Sequence, residues 1–134
     1  MKATSYLVEG LRSEGIDHVF LVPGGLIDPF LPALSETAGV TPIVAAHEGG
    51  AAYMADGYAR ASGRFGVCFA IGGPGISNTA TAVSAARSDG SPVLVVSGQV
   101  AAELEGRGAF QDDSPGTAID DTAALAPLVV SSQE

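Results

Sequence analysis

Residues 66–97 read GVCFAIGGPGISNTATAVSAARSDGSPVLVVS, and this stretch decides the fold. Val67, Cys68, Phe69, Ala70 and Ile71 are apolar at consecutive positions, as are Val93, Leu94, Val95 and Val96. Successive side chains of a strand point to opposite faces, so a strand with water on one side alternates apolar and polar residues. These two do not alternate, so both of their faces should be covered, as in a parallel sheet sandwiched by helices. The Gly72-Gly73-Pro74-Gly75 turn follows the first strand, and residues 76–88 then read as the crossover helix that returns the chain to the second. The expected fold class is open α/β, a parallel sheet with helices on both faces.

Outward from this unit the same alternation continues. Thr4 is placed to cap a helix that runs to about residue 14, with Leu7, Val8 and Leu11 on one face and Gly15 to end it. Residues 18–22 read as a strand, followed by a Pro23-Gly24-Gly25 turn. Ile27, Phe30, Leu31 and Leu34 then recur at helical spacing, with Pro32 expected to kink that helix or shift its start. A strand over 41–46 and a helix over 49–62 complete the upstream half. Downstream, residues 98–116 are polar and rich in glycine and acids, which suggests a long surface loop. A short helix and a last strand at 128–130 are expected to close the chain. No repeat or linker divides the 134 residues, which read as one domain. Residues 131–134 lie just beyond that last strand, with no helix to cover it, which reads as one piece of a longer architecture.

The formal net charge is −9, with only six basic residues. Such a surface repels phosphodiester backbones and anionic lipid, so neither nucleic acid nor a membrane is expected as a partner. No window approaches the ~20 apolar residues of a membrane span, and the N-terminus lacks a basic segment leading into an apolar run. A cytoplasmic protein is the expectation. The single cysteine, Cys68, lies in the apolar run and reads as a small core residue.

In an open α/β sheet, ligands gather beyond the carboxyl ends of the strands. Three loops fit that position: Pro23-Gly24-Gly25, the stretch Ala46-His47-Glu48-Gly49-Gly50, and Gly72-Gly73-Pro74-Gly75. Glu48 stands between an apolar strand and an alanine-rich helix, where poor hydration would move its proton affinity towards the working pH. It is equally the carboxylate that a helix dipole favours in a first turn. The residues alone leave both readings open, although the small neighbours Ala45, Ala46, Gly49, Gly50, Ala51 and Ala52 suit close approach by a flat ring or a backbone.

Other chemistries fail on spacing. His47-Glu48 begins like a zinc-protease helix, but Ala51 follows at the third position and His18 is the only other histidine. Gly73-Pro74-Gly75 would need a third glycine where Asn78 stands, and the strand after it ends without an acid for a ribose. A phosphate-binding loop requires a lysine, and Lys2 is the only one. Ser77 has neither the closing glycine of a nucleophile elbow nor a later histidine as its base. Arg60 and Arg64 read as complements to a helix C-terminus, Tyr53 and Tyr58 as core or interface packing, and Asp112 and Asp113 as solvated loop acids.

Val22-Pro23-Gly24-Gly25, the segment HEGGAAYMADGYAR at 47–60, and Gly73-Pro74-Gly75-Ile76-Ser77-Asn78 together resemble the pyrimidine-binding domain of thiamine-diphosphate enzymes, in the acetolactate synthase and 2-oxoacid decarboxylase group. The resemblance runs in order through nearly the whole chain. It implies that Glu48 hydrogen-bonds ring nitrogen N1′ of the cofactor's aminopyrimidine, so that the 4′ nitrogen can take the proton from thiazolium C2 before attack on a 2-keto acid. It also implies that Pro23, Gly24 and Gly25 let backbone approach the cofactor, and that Gly73 and Pro74 pack near the pyrimidine while Asn78 braces their turn. Ala109-Phe110-Gln111 resembles the family's loop in which the glutamine faces the substrate. Glu48 and Gln111 are therefore the expected catalytic residues.

Departures from the family pattern are Ile71 and Gly72, where a hydroxyl residue is common, and Arg107, Gly108 and Asp112 around the glutamine. They leave the keto acid open. The family holds the diphosphate through Mg2+ on a second domain with a Gly-Asp-Gly motif, and this chain has no such motif. No metal ligand is expected here, and a diphosphate-binding domain is expected in trans or elsewhere in the polypeptide, in a homo-oligomer. The isolated chain should be inactive. Two further readings are a subunit of a split decarboxylase resembling sulfopyruvate decarboxylase, and a non-catalytic binding domain that keeps the fold.

Overall fold

The computed structural model describes residues 2–113, 115–117 and 120–131. Four strands, β1 (His18–Leu21), β2 (Thr41–Val44), β3 (Gly66–Ile71) and β4 (Val93–Gly98), form one sheet in the order β2-β1-β3-β4. Every pairing is parallel, with Phe20 opposite Ile43 and Cys68, and Cys68 opposite Val95. The helices are α1 (Ala3–Ser13), α2 (Leu31–Glu36), α3 (Glu48–Ser62), α4 (Pro74–Ser77), α5 (Ala80–Asp89) and α6 (Asp121–Leu125).

The central strands β1 and β3 are buried from both sides, and their residues divide by parity. Val19, Leu21, Val67 and Phe69 join Val8 and Leu11 of α1 and Leu34 of α2 in one cluster. Phe20 and Cys68 face the other way, into Ala51, Ala52 and Ala55 of α3 and Ala82 of α5. Small residues on that second face bring helix backbone almost onto the sheet. A Cβ on Gly66 would overlap the Ala55 carbonyl, so α3 can seat there only over glycine. Burial pushes the Cys68 thiol up to about 12, with the Glu48 charge adding to it, which makes it inert packing.

Several expectations change in detail. Lys2, not Thr4, occupies the cap position of α1, and no side chain caps it. Pro32 is the second residue of α2, which follows a 3₁₀ turn at Asp28–Phe30, and this fits the fixed φ of proline in a first helical turn. The crossover after β3 is two helices, because the chain breaks around Asn78 and Thr79 before α5 starts. Leu128 ends a 3₁₀ turn and no strand forms over 128–130; that segment follows Pro127 and packs beside α5, with the Arg87 guanidinium donating to the Val129 carbonyl. Residues 132–134 lie outside the described residues.

β4 pairs only with β3, so Leu94 is exposed and the cover expected over both faces is partial. A groove of about 900 Å³ runs along it, lined by Val93, Val95, Val83 and Leu125. Arg60 and Arg64 do more than meet a helix end. Arg60 joins Asp56 (2.9 Å) to Asp89 (2.8 Å) and so ties α3 to α5, while Arg64 reaches the Gly15 carbonyl and Asp17. Tyr58 packs on Phe20 and donates to Asp17 (2.7 Å), whereas Tyr53 is exposed.

Candidate functional site

Strand order sets the place of the site. The chain runs from β1 outward to β2 and then crosses back over β1 to β3, so the connections leave β1 and β3 towards opposite faces. A crevice opens at their carboxyl ends, where open α/β sheets bind ligands. The turns after β1 and β3 meet there. A Cβ on Gly24 would lie 2.7 Å from Cγ2 of Ile71, and one on Gly75 would lie 2.5 Å from its Cγ1. Ile71 thus fills the space between the two turns, and both flanking residues must be glycine to admit it.

Glu48 enters this crevice from the third loop. It is the first residue of α3, whose N-cap His47 accepts the Gly49 N–H on Nδ1 (3.0 Å). One carboxylate oxygen, Oε2, accepts a hydrogen bond from Nδ2 of Asn78 (3.0 Å), thirty residues further on. The other, Oε1, lies 3.5 Å from where a Cβ on Gly75 would stand, and no described residue donates to it. The carboxylate is half-buried. Gly25 and Gly50 have nothing within 4 Å of a would-be Cβ, so the approach to the crevice is open on their sides. A flat heterocycle with a ring nitrogen to offer fits this arrangement: one oxygen is anchored, the other is presented, and the walls are backbone.

The expected site residues divide accordingly. Glu48, Asn78, Gly24, Gly73 and Pro74 are brought together beside Gly75 through Ile71 and the short helix α4, and Pro23 and Gly25 flank Gly24 at the surface. Gly73 has a φ of 68°, a conformation open to glycine, and starts α4 with Pro74 at the first helical position. Asn78 does not merely brace its turn; its side chain is spent on Glu48. Gln111 lies on the loop after β4 with a φ of 72°, the one described non-glycine residue in the left-handed region. Such strain persists only where surrounding contacts hold it, and it concentrates at functional positions.

Asp112 and Asp113 are not solvated. Both are buried, and an oxygen of Asp113 lies 2.7 Å from where a Cβ on Gly72 would be. Asp121, which the sequence did not single out, accepts the Gly73 N–H (2.8 Å). Of the two adjacent glycines only Gly73 has a positive φ, and at Gly72 a side chain would meet Asp113. Among the described residues no group of three histidine, cysteine, aspartate or glutamate side chains is placed to hold a metal ion.

Asn78→Ala isolates the Asn78 contribution. The Asn78 to Glu48 bond is solvent-exposed, so folding stability should change by about 1 kcal/mol or less in a urea titration.

The family described as "Thiamine pyrophosphate enzyme, N-terminal TPP binding domain" matches residues 1–121. Among curated relatives, the chain is 42% identical over 112 residues to the probable acetolactate synthase large subunit of Methanocaldococcus jannaschii, covering 84% of this chain and 19% of that one. It is 44% identical over 112 residues to the acetolactate synthase isozyme 2 large subunit of Escherichia coli (strain K12), covering 84% and 20%. The chain therefore spans about a fifth of the length of these relatives. No helix among the described residues is long and apolar enough to cross a membrane. A switch-point carboxylate held by Asn78, glycine turns closed over Ile71, and a match along nearly the whole length agree: the chain belongs to the family of N-terminal thiamine-pyrophosphate-binding domains.

Proposed function

We propose that residues 1–134 act as the pyrimidine-binding domain of a thiamine-diphosphate-dependent 2-keto acid decarboxylase or carboligase of the acetolactate synthase kind. Its diphosphate-binding domain, with the Mg2+, lies outside this chain, and the assembly is a cytoplasmic homo-oligomer. The observation that carries this reading is the Glu48 carboxylate at the switch point, one oxygen anchored by Asn78 and the other presented to a crevice walled by glycine.

When bound, thiamine diphosphate supplies the electron sink for cleaving the bond to a carboxylate. The chain's own residues position protons and exclude bulk. Glu48 holds a proton at the ring nitrogen N1′, and Asn78 fixes the rotamer in which it can do so. Gly73 and Pro74 shape the wall beside the pyrimidine, while Pro23, Gly24 and Gly25 let the ring and substrate approach backbone. Gln111 faces the substrate from the loop after β4. Ile71 and Gly72 carry no hydroxyl, so they offer no side-chain donor where members of the resembled group commonly have one.

On this reading the crevice beside Glu48 takes the pyrimidine, and the charged diphosphate is held outside this chain. In isolation it should bind thiamine diphosphate more weakly than ~1 μM, and calorimetry giving a tighter value would contradict this division of labour. The reading itself is tested by combining the chain with a diphosphate-binding domain of the same family and assaying a panel of 2-keto acids for decarboxylation. Failure with every keto acid and every such domain would leave a binding domain without catalytic function.

A further inference from the structure

We propose that Asp113 and Asp121 share one proton and so form a latch that clamps the Gln111 loop onto the Gly72-Gly73 turn and releases it as pH rises. Both side chains are more than nine-tenths buried, at 7% and 6% exposure. Each has one oxygen, Oδ1, with no hydrogen-bond donor among the described residues. Two buried carboxylate oxygens without donors are costly, and a single proton between the carboxyl groups satisfies both, because a protonated acid donates to its ionised neighbour. The remaining oxygens grip the turn. Asp121 Oδ2 accepts the Gly73 N–H, and Asp113 Oδ2 fills the space that a side chain on residue 72 would occupy.

The two acids come from separate segments, Asp113 from the loop two residues past the strained Gln111 and Asp121 from the start of α6. The turn they hold carries Gly73 and Pro74 at the crevice. Loop, turn and α6 are thus joined at one point. The latch stands on this burial and these contacts with the turn; its effect on the coenzyme rests on the thiamine reading.

Burial first, then the hydrogen bond with Asp113, pushes Asp121 up to about 7, while the Gly73 N–H pulls the other way and the charges of Asp113 and Asp120 add to the rise. Among the described residues neither Asp113 nor Asp121 is ion-paired. Arg87 of α5 lines the same groove, but its guanidinium is engaged by the Val129 carbonyl, and Glu48 beyond the turn is engaged by Asn78. Because the folded value lies above the ordinary 3.8, the folded chain holds the extra proton between the two. The contribution to stability is complete below about 3.8 and is lost as pH rises through about 7.

Hydrogen–deuterium exchange of the full chain, corrected for intrinsic rates, reads the latch directly. Protection of the Gly73 amide and of residues 109–113 should fall at least about tenfold between pH 5.5 and 8.5, one pK unit of linkage or more. Asp121→Asn should flatten that dependence, since its amide is neutral at both pH values and its carbonyl can still accept the Gly73 N–H. Asp113→Asn should do the same from the loop side. Protection that does not vary with pH in the unsubstituted chain, or variants that keep its full fall, would overturn the proposal. Should either variant fail to fold, carboxyl ¹³C titration of the unsubstituted chain decides: two well-separated steps, the upper one near 7 and sensed at the Asp121 carboxyl, support the latch, and ordinary carboxylate titration at both positions refutes it. None of these readouts needs the coenzyme, so the latch and the thiamine reading can fail separately.

Discussion

Glu48→Gln in the assembled enzyme should slow exchange of the thiazolium C2 proton of bound thiamine diphosphate by about 10²- to 10⁴-fold, the range expected when a positioned acid–base group is lost. The substitution isolates proton chemistry from shape. The introduced amide has the volume of the carboxylate, and its carbonyl oxygen can still accept from Asn78, so α3 should start where it does now. What it cannot do is hold a titrating proton at a ring nitrogen. Exchange is followed by NMR after acid quenching in D2O, and a rate equal to that of the unsubstituted enzyme would remove Glu48 from the mechanism.

Gly66→Ala should be the most damaging small substitution in the fold, costing about 3 kcal/mol of stability. The added methyl would overlap the Ala55 carbonyl, and neither partner can step aside. Gly66 is held to Pro92 and Val93 at the start of β3, and Ala55 is fully buried in the middle of α3. Gly57→Ala on the same helix provides the contrast. Nothing lies within 4 Å of a Cβ there, so the change should stabilise by about 0.5–1 kcal/mol through helix propensity. Urea denaturation of the pair measures both signs, and equal midpoints would show that α3 is not seated on β3 as described.

Much of this architecture was legible in advance, for a local reason. β3 was placed over residues 66–71 because six residues without alternation, bounded by glycine, admit few other structures. α3 was placed within one residue from the helical spacing of its Ala, Met and Tyr residues, and the structure adds His47 and Gly63 as its caps. Errors arose where local signals compete. Residues 76–88 carry an unbroken helical pattern, yet the tight turn that delivers Asn78 to Glu48 splits them. Val129 and Val130 favour a strand by type, but with Pro127 before them and Arg87 holding the Val129 carbonyl they run alongside α5.

The amino-acid sequence by itself determined the succession of strands and helices, the three loops where chemistry gathers, and, through the segment around Glu48, the family. These rest on residues within one or two turns of each other, whose backbone preferences and apolar spacing act locally. Tertiary structure alone decided that β1 lies between β2 and β3, which puts the crevice under Glu48, and that Asn78 and Asp121 spend their side chains on Glu48 and Gly73 across thirty and forty-eight residues. Contacts at that separation depend on how whole faces pack, and no spacing rule encodes them. The same holds for the acids at 112 and 113, whose polarity suggested solvent until the missing side chain of Gly72 gave Asp113 a buried place.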